Sequence, residues 1–169
     1  MNVVPIVIAA SLALAVSFSA WADFTAKVVG VADGDSITVL RDREQVKVRL
    51  VDIDAPEKGQ AFGNRSKQAL EALVKGQEVR VVERGKDRYD RTLGRVYRGD
   101  LDVNAEQVRQ GMAWVFRQYA KDDTLNQIEA EAKDKKRGLW RDPDPVPPWK
   151  WRKTQMPSSR SSAGMSGRP

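Results

Sequence analysis

Two short stretches gather carboxylates where strands should begin or end: Asp33-Gly34-Asp35, and Asp52-Ile53-Asp54-Ala55-Pro56-Glu57. Pro56 pushes Ala55 towards an extended conformation and stops the strand, so Asp54 and Glu57 share a stiff turn at its mouth. Two strand-end aspartates that approach one another supply the core of a site for a hard cation, which takes carboxylate, carbonyl and water oxygens. Asp is also a turn former, and that explanation stands beside the first. Arginine supplies the opposite charge. Arg49 lies in an otherwise apolar strand, where a guanidinium has to be paired with a carboxylate or a ligand. Arg91 lies in Asp87-Arg88-Tyr89-Asp90-Arg91, inside a stretch, residues 80–98, with seven basic and three acidic residues. Two arginines converging on cation-bound carboxylates would suit an anionic, phosphate-centred transition state. Structural ion pairing accounts for the same residues equally well. Arg49 and Asp54 are five positions apart, so a straight strand would send them to opposite faces; meeting requires a bend or bulge near Asp52.

Composition narrows the chemistry. The 169 residues include no cysteine and no histidine, which removes thiol nucleophiles, disulfide frameworks, zinc ribbons and imidazole bases. What remains is carboxylates, Arg, Lys, Tyr, Ser, Thr and a metal. With 41% hydrophobic and 31% charged residues, one soluble globular domain with one core is expected.

The elements that must position these residues lie between two unusual ends. Residues 3–18 carry no charge, and Ala20-Trp21-Ala22 has the small-x-small pattern of a signal-peptidase site, so residues 1–22 read as an export signal. An uncleaved anchor is the alternative; the apolar run is shorter than the ~20 residues a spanning helix needs. Residues 143–169 are rich in Pro, Ser and Gly without apolar periodicity and read as a basic flexible tail. Five basic residues against Asp144 give that tail +4 of the chain's formal +6; the body, 23–142, is nearly balanced at +2. Trp149-Lys150-Trp151-Arg152-Lys153 could stack on bases while holding phosphates, or anchor the tail onto the body.

In the body, β-branched residues alternate over Ala26–Val31, Ser36–Leu40 and Val46–Leu50, and strands return at Glu78–Val82 and Leu93–Tyr97. Asp33-Gly34 and residues 41–44 supply turns. A first helix is expected over 62–74 with Gly76 past its end, a short second one from Asn104 to Gly111, and a third from Thr124, where Thr124-x-x-Gln127 is a capping-box pattern, to Gly138. Five short strands with one helix inserted and two appended predict an α+β fold, a five-stranded OB-type Greek-key barrel with three helices.

At these residues the chain resembles the staphylococcal nuclease (thermonuclease) family. The motifs that carry the resemblance are Asp33-Gly34-Asp35-Ser36, the run Val48 to Glu57, Asp87-Arg88-Tyr89-Asp90-Arg91, Val108-Arg109-Gln110-Gly111-Met112-Ala113 and Gly138-Leu139-Trp140, in the family's order over residues 24–141. The resemblance implies a secreted, Ca2+-dependent nuclease acting on DNA and RNA by cleavage that leaves 3′-phosphate ends. It makes Asp35 and Asp54 carboxylate ligands of Ca2+, with the backbone carbonyl of Ala55 as a further ligand. Glu57 becomes the general base or positioner of the attacking water, and Arg49 and Arg91 hold the scissile phosphate. Arg88, Tyr89 and Tyr119 become the nucleotide pocket. The chain departs from the family pattern in three places. Ala55 replaces a Thr, a change the main chain tolerates. Asp90 stands where a Gly is usual, and Arg117 stands where a pocket Tyr would lie.

The expected protein is periplasmic or secreted, monomeric, and without stable membrane association once the signal is cleaved. The competing expectation is a non-catalytic OB-type module for single-stranded nucleic acid, which would have no need of Glu57.

Overall fold

The computed structural model describes residues 23–120 and 123–155; the expected export signal and residues 156–169 of the tail lie outside them. In chain order the elements are β1 (Asp23–Asp33), β2 (Ser36–Arg41), β3 (Glu44–Leu50), a two-residue β4 (Ile53–Asp54), α1 (Gly63–Val74), β5 (Glu78–Lys86) and β6 (Thr92–Arg98). There follow a short β7 (Leu101–Asp102), α2 (Val103–Arg109), a short β8 (Trp114–Val115), α3 (Asp123–Asp134), a 3-10 turn over Gly138–Arg141 and α4 (Pro148–Gln155).

The alternation read from the sequence is what turns one side of each long strand inward: Ala26 and Val28, Ile37 and Val39, Val48 and Leu50, Val79 and Val81, and Val96 are all buried. Leu70 and Val74 of α1, Val103, Ala105 and Val108 of α2 and Leu125 of α3 join this core, and Ala132, Leu139 and Trp140 form a smaller second cluster. Each fully buried Val or Leu contributes roughly 1.5–3 kcal/mol relative to exposure.

Strand connections set the shape. Asp42 and Arg43 both have positive φ, 48° and 71°, the conformation that lets a two-residue turn follow the twist of a hairpin. The strands run in the order β3-β2-β1-β5-β6-β7, and the sheet closes on itself because β3 also pairs with β6 in parallel, Arg49 opposite Leu93 and Leu50 opposite Gly94. The closure needs a residue without a side chain at this point, since a Cβ on Gly94 would come within 2.6 Å of Val81 and 3.3 Å of Val48. The result is the five-stranded barrel expected from the sequence, with β4 and β8 pairing beside it.

Among the described residues there are four helices where three were expected. The fourth, α4, occupies part of the stretch read as a flexible tail. An eight-residue helix is marginal by itself and depends on what it packs against. Pro148 suits the first helical turn and is buried. Trp149 stacks on Phe116 at 5.5 Å with rings 12° apart, and meets Trp114 edge-on at 5.7 Å. Just before the helix, Gln60 Nε2 donates to the Val146 carbonyl at 2.6 Å. Trp149 is thus an anchor onto the body, the second of the two roles open for it in the sequence.

Candidate active site

The site is built where three strand ends meet at one rim of the barrel. β2 begins at Ser36, β3 ends just past Arg49, and β6 begins at Thr92; Ser36 pairs with Arg49, and Arg49 with Leu93. Asp35 immediately precedes β2 and Arg91 immediately precedes β6, so residues remote in sequence arrive together.

Asp35 lies in the tight β1–β2 connection, where its N–H donates to Asp33 Oδ1 at 3.1 Å. Gly34 presses this turn against α1: a Cβ there would collide with Ser66 Oγ and lie 2.7 Å from the Ala55 Cβ. Gln107 Nε2 holds the turn from the other side, donating to the Gly34 carbonyl at 2.6 Å. The Ala55 N–H donates to Asp35 Oδ2 at 2.6 Å. Burial pushes the Asp35 carboxyl up to about 7, against the lowering effect of Arg49; Asp33 adds to the rise, the Ala55 N–H opposes it, and Asp54 adds again.

Arg49 joins the two aspartates. Its Nη1 donates to the Leu50 and Ile53 carbonyls at 2.6 and 3.1 Å, and its Nη2 lies 3.1 Å from Asp35 Oδ2 and 3.0 Å from Asp54 Oδ1. The required bend sits at Asp52, whose φ is 66°. That carboxylate is buried and held by Arg84 at 2.9 Å and Arg95 at 3.7 Å. Asp54 is itself only 1% exposed, a burial that a paired carboxylate can sustain and a lone one cannot.

Glu57 follows Pro56 on the turn, its N–H donating to Gln60 Oε1 at 3.0 Å. Its carboxylate receives Arg152 Nη1 of α4 at 2.6 Å, and the same guanidinium reaches Asp54 Oδ1 at 3.2 Å and Oδ2 at 2.8 Å. Burial works against the Arg152 charge, but hydrogen bonds and charge from Asp54 and Glu57 outweigh it and raise its pKa above the ordinary value.

Arg91 stands one hydroxyl away from the pair of aspartates. Its Nη1 is 3.4 Å from Ser36 Oγ, which donates to Asp35 Oδ1 at 3.2 Å. Asp87 aims Arg91, accepting from its Nε at 2.8 Å and from its backbone N–H at 3.0 Å. Burial opposes ionisation of Asp87, yet these hydrogen bonds and the one from the Tyr89 N–H keep its carboxyl below the usual range.

The expected nucleotide-pocket residues lie outside this ion-pair network. Tyr89 and Tyr119 are 66% and 61% exposed. The Arg88 and Arg91 guanidinium groups lie 4.8 and 5.7 Å from the Tyr89 ring centre, and Tyr119 meets Phe116 edge-on at 4.9 Å. Asp90 adopts the left-handed conformation, φ 61°, and its charge is taken by Lys86 at 2.7 Å rather than by Arg91. Arg117 is engaged with the buried Glu129 at 2.6 Å.

Structure thus gathers Asp35, Arg49, Asp54, Ala55 and Glu57 at one rim, with Arg91 beside them. Sequence reasoning missed Arg152, Ser36 and Asp87 as parts of the site. Asp87 and Ser36 sat inside the quoted motifs, whereas the position of Arg152 had no local signal. Among the described residues no group of three or more carboxylates gathers to hold a metal ion. The donors on hand are the buried carboxylates of Asp35, which meets Arg49, and Asp54, which meets both Arg49 and Arg152, with the Ala55 carbonyl on the turn beside them. This all-oxygen set, completed by water, fits a hard cation such as Ca2+.

The family described as "Staphylococcal nuclease homologue" matches residues 47–142. A protein named "Micrococcal nuclease" from Shigella flexneri is 48% identical over 157 residues, covering 86% of this chain and 90% of the relative. Proteins named "Uncharacterized endonuclease" are 50% identical in Escherichia coli O157:H7, over 78% of this chain and 86% of the relative, and 46% identical in Haemophilus influenzae, over 78% and 74%. These likenesses decide between the two expectations in favour of an enzyme over a non-catalytic binding module. The chain belongs to the staphylococcal nuclease homologue family: it is a nuclease, a phosphodiesterase whose substrate is nucleic acid.

Proposed function

We propose that this nuclease is exported, requires Ca2+, and hydrolyses both DNA and RNA with little sequence preference, leaving 3′-phosphate ends. The observation that carries the assignment is the convergence of Asp35, Asp54 and Glu57 with Arg49 at one rim, linked through Ser36 to Arg91. Phosphodiester hydrolysis is slow because an oxygen nucleophile must approach an anion. When bound, Ca2+ supplies charge neutralisation and a template for the phosphate. Asp35 and Asp54, with the Ala55 carbonyl, hold the cation. Arg49 and Arg91 bind the non-bridging phosphate oxygens and offset the charge that builds as the phosphorus becomes five-coordinate. Glu57 takes the proton of the attacking water or orients it in line; in a chain with no imidazole a carboxylate is the natural base. Exposed Arg88, Tyr89 and Tyr119 offer charge and ring faces to a neighbouring phosphate and base, contacts that do not read base edges.

An assay of plasmid, single-stranded DNA and RNA cleavage, with Ca2+ and with chelator, tests this directly. Glu57→Gln should lose about 10²–10⁴ in kcat, the ordinary worth of general-base assistance. Unchanged turnover in that variant removes Glu57 from the base role, and activity in chelator removes the cation requirement. End-group analysis of products checks the 3′-phosphate, and the N-terminal residue of the mature protein checks export: Asp23 supports cleavage of the leader, Met1 contradicts it.

A further inference from the structure

Helix α4 carries an arginine, Arg152, that touches both the carboxylate taken as base and one taken as cation ligand. Among the described residues Glu57 has a hydrogen-bond partner on its carboxylate in Arg152, at 2.6 Å, while the bidentate contact to Asp54 is at 3.2 and 2.8 Å. Residues 146–155 are held to the body by means unrelated to this charge contact: the Phe116–Trp149 stack, the Trp114–Trp149 edge contact and the Gln60–Val146 hydrogen bond. The guanidinium is therefore delivered to the rim by apolar packing.

We infer that Arg152 is a positioning residue for hydrolysis: α4 brings its guanidinium over Asp54 so that Glu57 is pinned in the orientation from which it acts on water. The inference rests on the base role proposed above for Glu57. Without the guanidinium, Glu57 is a flexible side chain on a turn, facing the like charge of Asp54, and repulsion would swing it towards solvent. With it, one Glu57 oxygen is fixed and the other stays free for water. The planar fork of arginine suits this, since it meets the second carboxylate with the remaining nitrogen. The family match ends at residue 142, ahead of α4, so the helix adds a part to the site from outside the matched region.

The test is a double-mutant cycle with Ca2+ titrations and circular-dichroism melts on each variant. Arg152→Gln should lower kcat by about 10–100-fold, the usual cost of a misplaced catalytic group, with KM for DNA changed less than about twofold. In a Glu57→Gln background the same substitution should cost almost nothing more, because Arg152 acts through Glu57. Arg152→Lys should recover part of the rate, and Trp149→Ala, which leaves the guanidinium but unseats the helix, should reproduce the kcat loss. Lys135→Gln, which removes one exposed charge just past α3, should leave turnover unchanged. A full kcat loss persisting in the Glu57→Gln background would mean Arg152 contacts substrate directly and overturns the inference. So would Ca2+ binding tightened tenfold or more by Arg152→Gln, which would make the residue a competitor of the cation. If Glu57→Gln alone leaves kcat intact, the base assignment fails and this inference with it; if only Arg152→Gln is silent, the base assignment stands and this inference alone is lost.

Discussion

At the scale of single residues, Asp35 carries an unusual thermodynamic signature. Its carboxyl is pushed up to about 7 from an ordinary value of 3.8, so the folded chain binds a proton there over a pH range in which the unfolded chain has lost it. Stability therefore falls as pH rises through that window, the reverse of a salt-bridged carboxylate. In chelator, between about pH 4 and 7, the wild type should lose on the order of a few kcal/mol relative to Asp35→Asn, whose stability lacks this slope. Denaturant melts at half-unit pH steps measure it, and parallel curves for the two proteins would contradict the burial argument. Asp87 has the opposite sign: its carboxyl is lowered, so the stability it contributes disappears only in more acid solution, below the Asp35 window. The residues of the site were legible in sequence where their partners are local or their motifs compact. Arg49 demanded a carboxylate, and the five-residue spacing to Asp54 demanded a bend, which is found at Asp52. Arg152 was not legible, because its partners lie 95 and 98 positions away and nothing near it in the chain signals them.

At the scale of elements, the strands were legible because alternating burial writes itself into composition, and Gly76 and Gly111 mark the ends of α1 and α2. The third helix departs from expectation: Thr124 lies inside α3, and α3 stops at Asp134, four residues short of Gly138, which instead opens the 3-10 turn. The fourth helix escaped because what stabilises it is the aromatic face of the body under Trp149, a tertiary cause invisible in a Pro-rich stretch. The join between α3 and β8 depends on a different tertiary feature. Glu129 is fully buried, accepting from the Val115 N–H at 2.9 Å, Arg117 at 2.6 Å and Lys133 at 2.8 Å. Glu129→Ala removes the acceptor of a buried N–H and strands two cations, and should cost roughly 3 kcal/mol by chemical denaturation. Because β8 pairs with β4, and so with Asp54, the variant should also weaken Ca2+ binding, readable by calorimetry. Wild-type stability in Glu129→Ala would mean that this cluster does not hold the two elements together.

For the whole molecule, charge is unevenly shared. Most of the formal +6 belongs to residues 143–169, with a nearly neutral body carrying the site. Binding to polyanions should weaken linearly on a plot of log affinity against log salt, with a slope set by the number of phosphates neutralised. Truncation after Asp142 removes five basic residues and one acidic residue and should flatten that slope by as much as ~4. Fluorescence anisotropy with a labelled DNA in chelator gives both slopes; identical ones would mean the C-terminal charges do not meet the substrate backbone.

The parallel pairing of β3 with β6 has a kinetic consequence. Hairpins β1–β2 and β2–β3 join neighbours and can form early, whereas this seam brings Val48 to Thr92 across β4, α1 and β5 and must wait for them to be ordered. That seam brings Arg91 within 3.4 Å of Ser36, which the β2–β3 hairpin has already set opposite Arg49. On dilution from denaturant, competence to cut should therefore return later than strand content does, and a nascent chain released before residue 98 would hold most of the acids and arginines of the rim while remaining inert.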